Sequence, residues 1–379
     1  MSAVVKAAPV TRAGAVVDLG AIERNCARLA AELEAATALC AVVKADGYGH
    51  GAVESARAAL AGGARSLAVA AAIEAVELRA ALPDARILVL GALTAAELDQ
   101  ALAADADIAV WRPSFLELVR ARGEALGRRP RVHVKYDTGM GRLGERDPAV
   151  VRSLVDEADT HEQIELSGLW THFATADEPD SGFFDQQLAR FLELALPLRE
   201  RIGALTLHAA NSAATLREPG AHLDMVRCGI AIYGLDPFGQ SPFAHRLEPA
   251  LELHSYLADV KRLGAGESVG YGCSWRAAEA TWIGVLPIGY GDGVRRALGN
   301  TAEILIGGRR RPLVGTVSMD NVTVDLGPDP DVEAGAAAVL IGAQEGERVL
   351  AEELAQRLET INYEITCAIS PRVPREYLR

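Results

Sequence analysis

The stretch Leu39-Cys40-Ala41-Val42-Val43-Lys44-Ala45-Asp46-Gly47-Tyr48-Gly49-His50-Gly51 starts as an unbroken apolar run, meets a lysine and continues into alternate glycines. A short, continuous apolar run predicts a strand buried on both faces, as in a parallel sheet. The lysine then stands at the C-terminal end of that strand, which in a parallel barrel is the catalytic face. Desolvation there lowers an amine's pKa and makes it nucleophilic. Gly47, Gly49 and Gly51 let the backbone approach a ligand closely, and Tyr48 offers a hydroxyl. A lysine reaching out of a strand end before an ordinary glycine-rich turn accounts for the same residues. The stretch alone leaves both readings open.

Working outward, the pattern repeats. Upstream, Asp18 reads as a helix N-cap, and Ile22, Cys26, Leu29 and Leu33 share one helical face. Downstream, strand-like runs occur at Leu67–Ala70, Ile87–Leu90, Ile108–Val110, Val132–Val134, Ile164–Leu169, Leu205–Leu207 and Leu223–Val226. Alanine-rich segments of helical length separate most of them. With Leu39–Val43 this makes eight strand–helix units, the number of a TIM-type (β/α)8 barrel. A doubly wound open sheet is the alternative. An earlier piece, Ala15–Val17, is a ninth strand expected outside the barrel.

The texture changes near residue 240, where Pro237, Gly239 and Pro242 mark a linker. Beyond it lie β-type runs at Trp282–Leu286, Ala302–Ile306, Leu313–Val317, Val322–Leu326 and Ala338–Ile341, and a helical pattern at Leu350–Leu358. The expected organisation is an α/β chain with a barrel over residues 14–240, followed by a mainly β domain over 241–379 that also takes in residues 1–13.

Composition excludes several classes. The net charge of −13 opposes a nucleic-acid partner, because phosphate binding requires clustered Lys and Arg. The clusters Arg128–Arg131 and Arg309–Arg311 read as solvated turns. Five cysteines without a CxxC pair give neither a disulfide framework nor a zinc site, and free thiols suit a reducing compartment. No run reaches the roughly 18–20 apolar residues of a membrane span, and Met1–Arg12 lacks the plan of a signal peptide. A soluble cytoplasmic protein is the expectation. Gly139–Gly144 reads G-x-G-x-x-G, but Pro148 interrupts the helix that a dinucleotide fold needs there.

VVKADGYGHG (Val42–Gly51) resembles the cofactor-lysine motif of alanine racemases. The resemblance continues in order through Val17–Asn25, Lys135–Gly144, Thr171–Ala174, His208–Ala214, Val226–Gly234, Val269–Gly272, Gly289–Gly293, Ser318–Asp320 and Asn362–Glu364. It implies a fold-type-III enzyme dependent on pyridoxal 5′-phosphate (PLP) that interconverts L- and D-alanine and so supplies D-alanine for peptidoglycan. It implies that Lys44 binds PLP covalently and that Lys44 and Tyr271 are the two bases on opposite faces of the substrate. A tyrosine used as a base calls for nearby cations such as Arg142.

By the same resemblance, Tyr48, Asn211, Ser212, Gly229, Ile230 and Tyr363 surround the cofactor phosphate. Ser212 also reads as a helix N-cap, and the two roles are compatible. Arg142 faces the phenolic oxygen and the substrate carboxylate, and Met319 and Asp320 border the substrate. His172 lies between the catalytic tyrosine and Arg227, His208 joins the cofactor pocket, and Arg227 pairs with the pyridine nitrogen. Arginine cannot give up its proton, so that nitrogen stays neutral. Lys135 is carbamylated in the family and then holds Arg142. No metal is implied. The implied assembly is a head-to-tail homodimer with shared active sites.

Two positions depart from the family pattern, Val294 and Asn321, and both bear on the shape of the substrate entrance. Three rivals remain. A decarboxylase of the same architecture conflicts with the Tyr271 motif. A non-catalytic PLP-carrier protein conflicts with the β domain. A serine or broad-specificity racemase differs only in pocket shape.

Overall fold

In the computed structural model, which describes residues 11–379, the apolar run around Leu39 is a strand in an eight-stranded parallel sheet. Its strands are β2 (Ala38–Val42), β3 (Ser66–Val69), β4 (Ile87–Val89), β5 (Asp107–Val110), β6 (Arg131–Lys135), β7 (Glu165–Trp170), β8 (Thr206–His208) and β9 (Met225–Cys228). Their order is β8-β7-β6-β5-β4-β3-β2-β9, so sequential strands are neighbours and β9 returns to β2. Between β8 and β9 there is no regular ladder. Two backbone bonds cross that seam instead, Asp224 N–H to Leu207 O (3.0 Å) and Arg227 N–H to Ala210 O (2.9 Å). The result is a near-closed barrel with helices between its strands, as the apolar runs predicted. Most of these strands are buried along nearly their whole length, which is why their sequences are continuous apolar runs and not alternating ones.

The chain divides into two compact units. The barrel unit is Gly20–Phe238 with Pro242–Glu248. The other unit contains the segment ending at Leu19, Gly239–Ser241 and Pro249–Arg379. Strand β1 (Ala13–Asp18), the ninth strand foreseen at Ala15–Val17, belongs to this second unit. Both its edges are occupied there, antiparallel by β10 (Leu251–Tyr256) and parallel by β20 (Arg375–Leu378). The barrel unit therefore starts at Gly20 and not at residue 14. Of the segment 1–13 expected in the β domain, residues 1–10 lie outside the described residues.

The rest of this unit is β11 (Asp259–Leu263), β12 (Ser268–Val269), β13 (Trp275–Arg276), β14 (Thr281–Leu286), β15 (Glu303–Ile306), β16 (Arg309–Pro312), β17 (Val322–Gly327), β18 (Ala337–Gln344) and β19 (Glu347–Val349). The main sheet runs β16-β15-β18-β10-β1-β20, and β11-β14-β17 form a second sheet. Burial alternates along β1, β10 and β17, so each presents one face to a core.

Arg128 and Arg129 lie exposed in the connection before β6 as expected, but Arg131 and the second arginine cluster depart from the solvated-turn expectation. Arg131 opens β6 and binds buried Asp107 through Nε (2.5 Å). Arg309–Pro312 is β16, joined to β15 by Gly307-Gly308 with φ of +60° and +69°, a two-residue hairpin turn that matches strand twist. Carboxylates neutralise it: Arg310 meets Glu353 (2.8 Å) and Arg311 meets Asp331 (2.5 Å). Among the described residues no helix is long and apolar enough to cross a membrane, and all five cysteines are free thiols.

Candidate active site

Strand alternation decides which side chains enter the barrel. His133 and Lys135 are two apart on β6 and so share a face. Arg227 reaches toward them from β9 and His208 from the end of β8. Hydrogen bonds link Arg227 to both histidines and to Asp107 in one row. Arg227 donates through Nη1 to His208 Nδ1 (2.9 Å) and through Nη2 to the carbonyls of Thr171 (2.8 Å) and Ala209 (3.0 Å). His208 Nε2 meets His133 Nδ1 (2.9 Å), and His133 Nε2 meets Asp107 Oδ2 (3.1 Å). A guanidinium can only donate and a carboxylate can only accept. The polarity of the row is therefore fixed: both histidines are neutral and carry their proton on Nε2. Burial, then the Arg227 charge, hold His208 well below the ordinary imidazole range. At Asp107, burial pushes the carboxyl up, but the hydrogen bond from neutral His133, the charge of Arg86 and the hydrogen bond from Arg131 pull it further down, to a net value well below the usual carboxylate range.

Above this row lies a concentration of positive charge. Lys135 Nζ sits 4.2 Å from the centre of the Trp170 ring and the Arg227 guanidinium 4.8 Å from it, both cation–π contacts. His208 stacks on the same indole at 5.6 Å. Burial, then the charges of Arg227 and Arg142, pull Lys135 down to about 7, with Asp137 opposing and Lys44 adding to the effect. His172 is held well below the imidazole range by burial and by the charges of Arg227, Lys135, Arg142 and Lys44. Its Nδ1 lies 3.4 Å from Arg227 Nη2 and faces a donor, so its proton is on Nε2. Arg142 is solvent-exposed on a loop that Asp137 shapes by accepting from the Gly139 (3.0 Å) and Gly141 (3.1 Å) amides. After Gly144 the next helix is Pro148–Thr160, capped by Asp147, so Pro148 opens a helix instead of interrupting one as the sequence reading had it.

Lys44 follows β2 after one residue, Val43. The residues after it adopt left-handed backbone: φ is +52° at Ala45, +53° at Asp46, +60° at Gly47 and +55° at Tyr48. For residues with a Cβ this costs roughly 1–2 kcal/mol each, strain of the kind that functional sites hold. Tyr48 is buried against Tyr233 (ring centroids 5.1 Å), and Tyr233 donates to Val42 O (3.1 Å). Tyr48 also explains a glycine: a Cβ at Gly229 would lie 2.3 Å from the Tyr48 hydroxyl. Nearby, Ser212 Oγ accepts from the Gly229 (3.0 Å) and Ala231 (3.4 Å) amides. The N-cap of the helix Ser212–Arg217 is Asn211, whose Oδ1 accepts from Ala214 (3.0 Å), and not Ser212. Ile230 opens the following 3₁₀ turn.

The remaining sequence candidates lie in the β unit. Tyr271 is 75% exposed on a turn in which Gly270 (φ +72°) and Gly272 (φ +75°) flank it. Thr316 Oγ1 donates to the Tyr271 carbonyl (2.8 Å). A cleft of about 470 Å³ beside it is lined by Gly270, Tyr271, Val285, Thr316, Ser318, Asn321 and Thr323. Asn321 thus borders the tyrosine, whereas Val294 is buried in an apolar interior with Leu253, Leu298 and Ile341. Met319 is exposed, and Asp320 is bound by Arg372 (2.5 Å), which also reaches buried Asp292 (3.4 Å). Tyr363 lies on the helix Asn362–Cys367.

Sequence reading missed His133, Asp107 and Trp170. The two-residue spacing of His133 and Lys135 was the available signal.

Comparison with known proteins extends over almost the whole chain. A family model described as "Alanine racemase, N-terminal domain" matches residues 17–237, and one described as "Alanine racemase, C-terminal domain" matches 250–377. An alanine racemase of Geobacillus stearothermophilus is 45% identical over 375 residues, covering 96% of this chain and 93% of its own. That of Symbiobacterium thermophilum is 44% identical over 365 residues, covering 96% of each. Among solved structures, the alanine racemase of D-cycloserine-producing Streptomyces lavendulae superposes with a TM-score of 0.92 at 39% identity and covers 98% of each chain.

Proposed function

The chain belongs to the alanine racemase family, and from that premise we propose how its residues divide the work of inverting alanine. Its reaction is the interconversion of L- and D-alanine. The family uses PLP, which when bound spreads the electron pair left on the α-carbon after the proton departs. The residues at the barrel mouth fit that group. Lys44, Lys135, Arg142 and Arg227 all bear on His172, and the buried Trp170 indole N–H has no hydrogen-bond partner. Such a field suits a phosphate dianion and a carboxylate.

Lys44 would hold PLP covalently. Tyr48, Asn211, Ser212, Gly229, Ile230 and Tyr363 would surround its phosphate, and Arg142 would face its phenolic oxygen and the substrate carboxylate. Arg227 would donate to the ring nitrogen, with His208 accepting behind it. Held as a donor by four acceptors, it cannot hand that nitrogen a proton, which restrains charge flow into the ring. The Lys44 amine moves the α-proton on one face and the Tyr271 hydroxyl on the other, with His172 passing a hydrogen bond between Tyr271 and Arg227. Met319 and Asp320 border the substrate. The observation that carries this reading is the convergence of the Lys44, Lys135, Arg142 and Arg227 side chains around neutral His172. Incubation with L-alanine followed by chiral analysis tests it: equimolar enantiomers are expected, and recovery of L-alanine alone overturns it. A broader substrate range is the second reading, because Asn321 borders the Tyr271 cleft; L-serine in the same assay separates the two.

Lys135 is proposed to carry a carbamate. Carbon dioxide adds to a neutral amine and releases a proton. An amine titrating near 7 is therefore mostly reactive above that pH and protonated below it. The product is an anion among cations, which would hold Arg142. Equilibration with ¹³C-bicarbonate at pH 8 should give a protein-bound carbamate signal that fades below pH 7 and is missing from Lys135→Ala. Equal signals in both proteins would refute the modification.

The assembly is proposed as a head-to-tail homodimer with two shared sites, in which each β unit supplies Tyr271 to the other chain's barrel. Exposure of Tyr271, Tyr290 and Met319 on that unit supports an extended contact surface. Inactive Lys44→Ala and Tyr271→Ala proteins, mixed under subunit exchange, should regain activity, because one site in each mixed dimer has both bases. No recovery despite demonstrated exchange would place both bases in one chain's site.

A further inference from the structure

We propose that Glu74 is a positioning residue for Lys44, acting through the backbone of the turn that carries it; this rests on the reading of Lys44 as the cofactor lysine. Glu74 lies on the first turn of the helix Ala72–Ala81, where its carboxylate does what a capping glutamate does. Oε2 accepts from the Ala70 (2.8 Å) and Ala71 (3.0 Å) amides that follow β3. Oε1 reaches elsewhere. It accepts from the amide of Ala45 at 2.6 Å, the residue next to Lys44 at the end of β2. One carboxylate thus joins the loops that leave two adjacent barrel strands, and its second oxygen serves no part of its own helix.

The need for such a clamp follows from the conformation of the turn. Ala45, Asp46 and Tyr48 are held in the left-handed region despite carrying a Cβ, so the segment relaxes unless outside bonds fix it. Asp46 secures the far end, its Oδ1 accepting from the Ala52 amide at 3.0 Å. Glu74 secures the near end, beside the lysine. The charge on the acceptor strengthens this bond over one to a neutral group. Without it the amide of Ala45 loses its partner, the turn loosens and the amine of Lys44 samples positions away from the barrel mouth.

The fold supplies its own control. The helix Ala95–Ala103 starts with an equivalent capping box, in which Glu97 accepts from the Thr94 amide at 2.8 Å and reaches no residue of the β2 loop. Glu74→Gln, Glu74→Ala and Glu97→Gln are to be compared as purified holoenzymes for PLP dissociation constant, kcat, KM and melting temperature. Glu74→Gln is the isosteric variant that keeps the test available where alanine perturbs folding. Loss of a bond to a charged group corresponds to about 10–100-fold in affinity. The expected result is a weakening of PLP binding on that scale and a fall in kcat with little change in KM for both Glu74 variants, while Glu97→Gln shifts only the melting temperature. Glu74 variants that keep wild-type PLP affinity and kcat, and melt like Glu97→Gln, overturn the proposal. Borohydride labelling of the wild type, followed by peptide mapping, separates the premise: label on another lysine defeats the reading of Lys44, whereas label on Lys44 with unaffected Glu74 variants defeats only the clamp.

Discussion

Lys44→Ala protein should emerge from gel filtration without bound PLP absorbance and with essentially no racemisation. Two losses combine in this substitution. The amine is the only covalent anchor proposed for the cofactor, so its removal leaves PLP held by hydrogen bonds and charge alone. The amine is also the proposed base on one face of the substrate, and a positioned general base contributes about 10²–10⁴-fold on its own. The fold is expected to survive, because the strain of the following turn lies in Ala45, Asp46 and Tyr48 and is opposed by Glu74 and Asp46, not by the lysine side chain. Reduction of the wild type with borohydride should mark the peptide containing Lys44. Retention of near-normal activity by the variant, or a mark on a different lysine, would remove Lys44 from the chemistry.

The two halves of the molecule were unequally legible in the sequence. Barrel strands declare themselves because burial on both faces favours apolar residues, so each of β2 to β9 overlaps a short, mainly apolar run, although β5, β6, β8 and β9 also carry the buried polar residues of the site. In the β unit that signal misleads. Leu313, Val314 and Val317 are buried as their apolarity suggests, yet Gly315 at φ +77° breaks the backbone there. The strand is Arg309–Pro312 instead, disguised by arginines whose charges are met by carboxylates from Glu303, Glu353 and Asp331.

The site shows the same division. Lys44 was visible from its place at the end of a strand. The cation cluster was linked only by resemblance and not by local pattern, because Lys135, Arg142 and Arg227 come together only when the sheet closes. The row from Arg227 through His208 and His133 to Asp107 was hidden for another reason. A lone histidine in a strand is usually a satisfied core residue, and only its partners reveal what orders it.

Tyr271→Ala should lose racemisation by about 10²–10⁴-fold, the contribution of one general base, while PLP stays bound. The substitution removes the phenol and spares what holds its turn: Thr316 binds the carbonyl of Tyr271 and not its hydroxyl, and the flanking glycines set the backbone. A phenol that is 75% exposed on its own unit contributes little to that unit's core, so a large effect on rate speaks for chemistry at the hydroxyl. The stronger claim concerns direction. In the proposed two-base reading, Tyr271 would serve the α-proton of L-alanine and Lys44 that of D-alanine. Removing the tyrosine leaves Lys44 facing D-alanine, so residual proton exchange in the variant should favour that enantiomer. Incorporation of solvent deuterium, measured separately from L- and D-alanine, reads this bias directly. A tyrosine that only packs at an interface would slow both enantiomers alike. Equal residual exchange from the two, or racemisation near the wild-type rate, would therefore return Tyr271 to that lesser role and leave the second base to be found elsewhere.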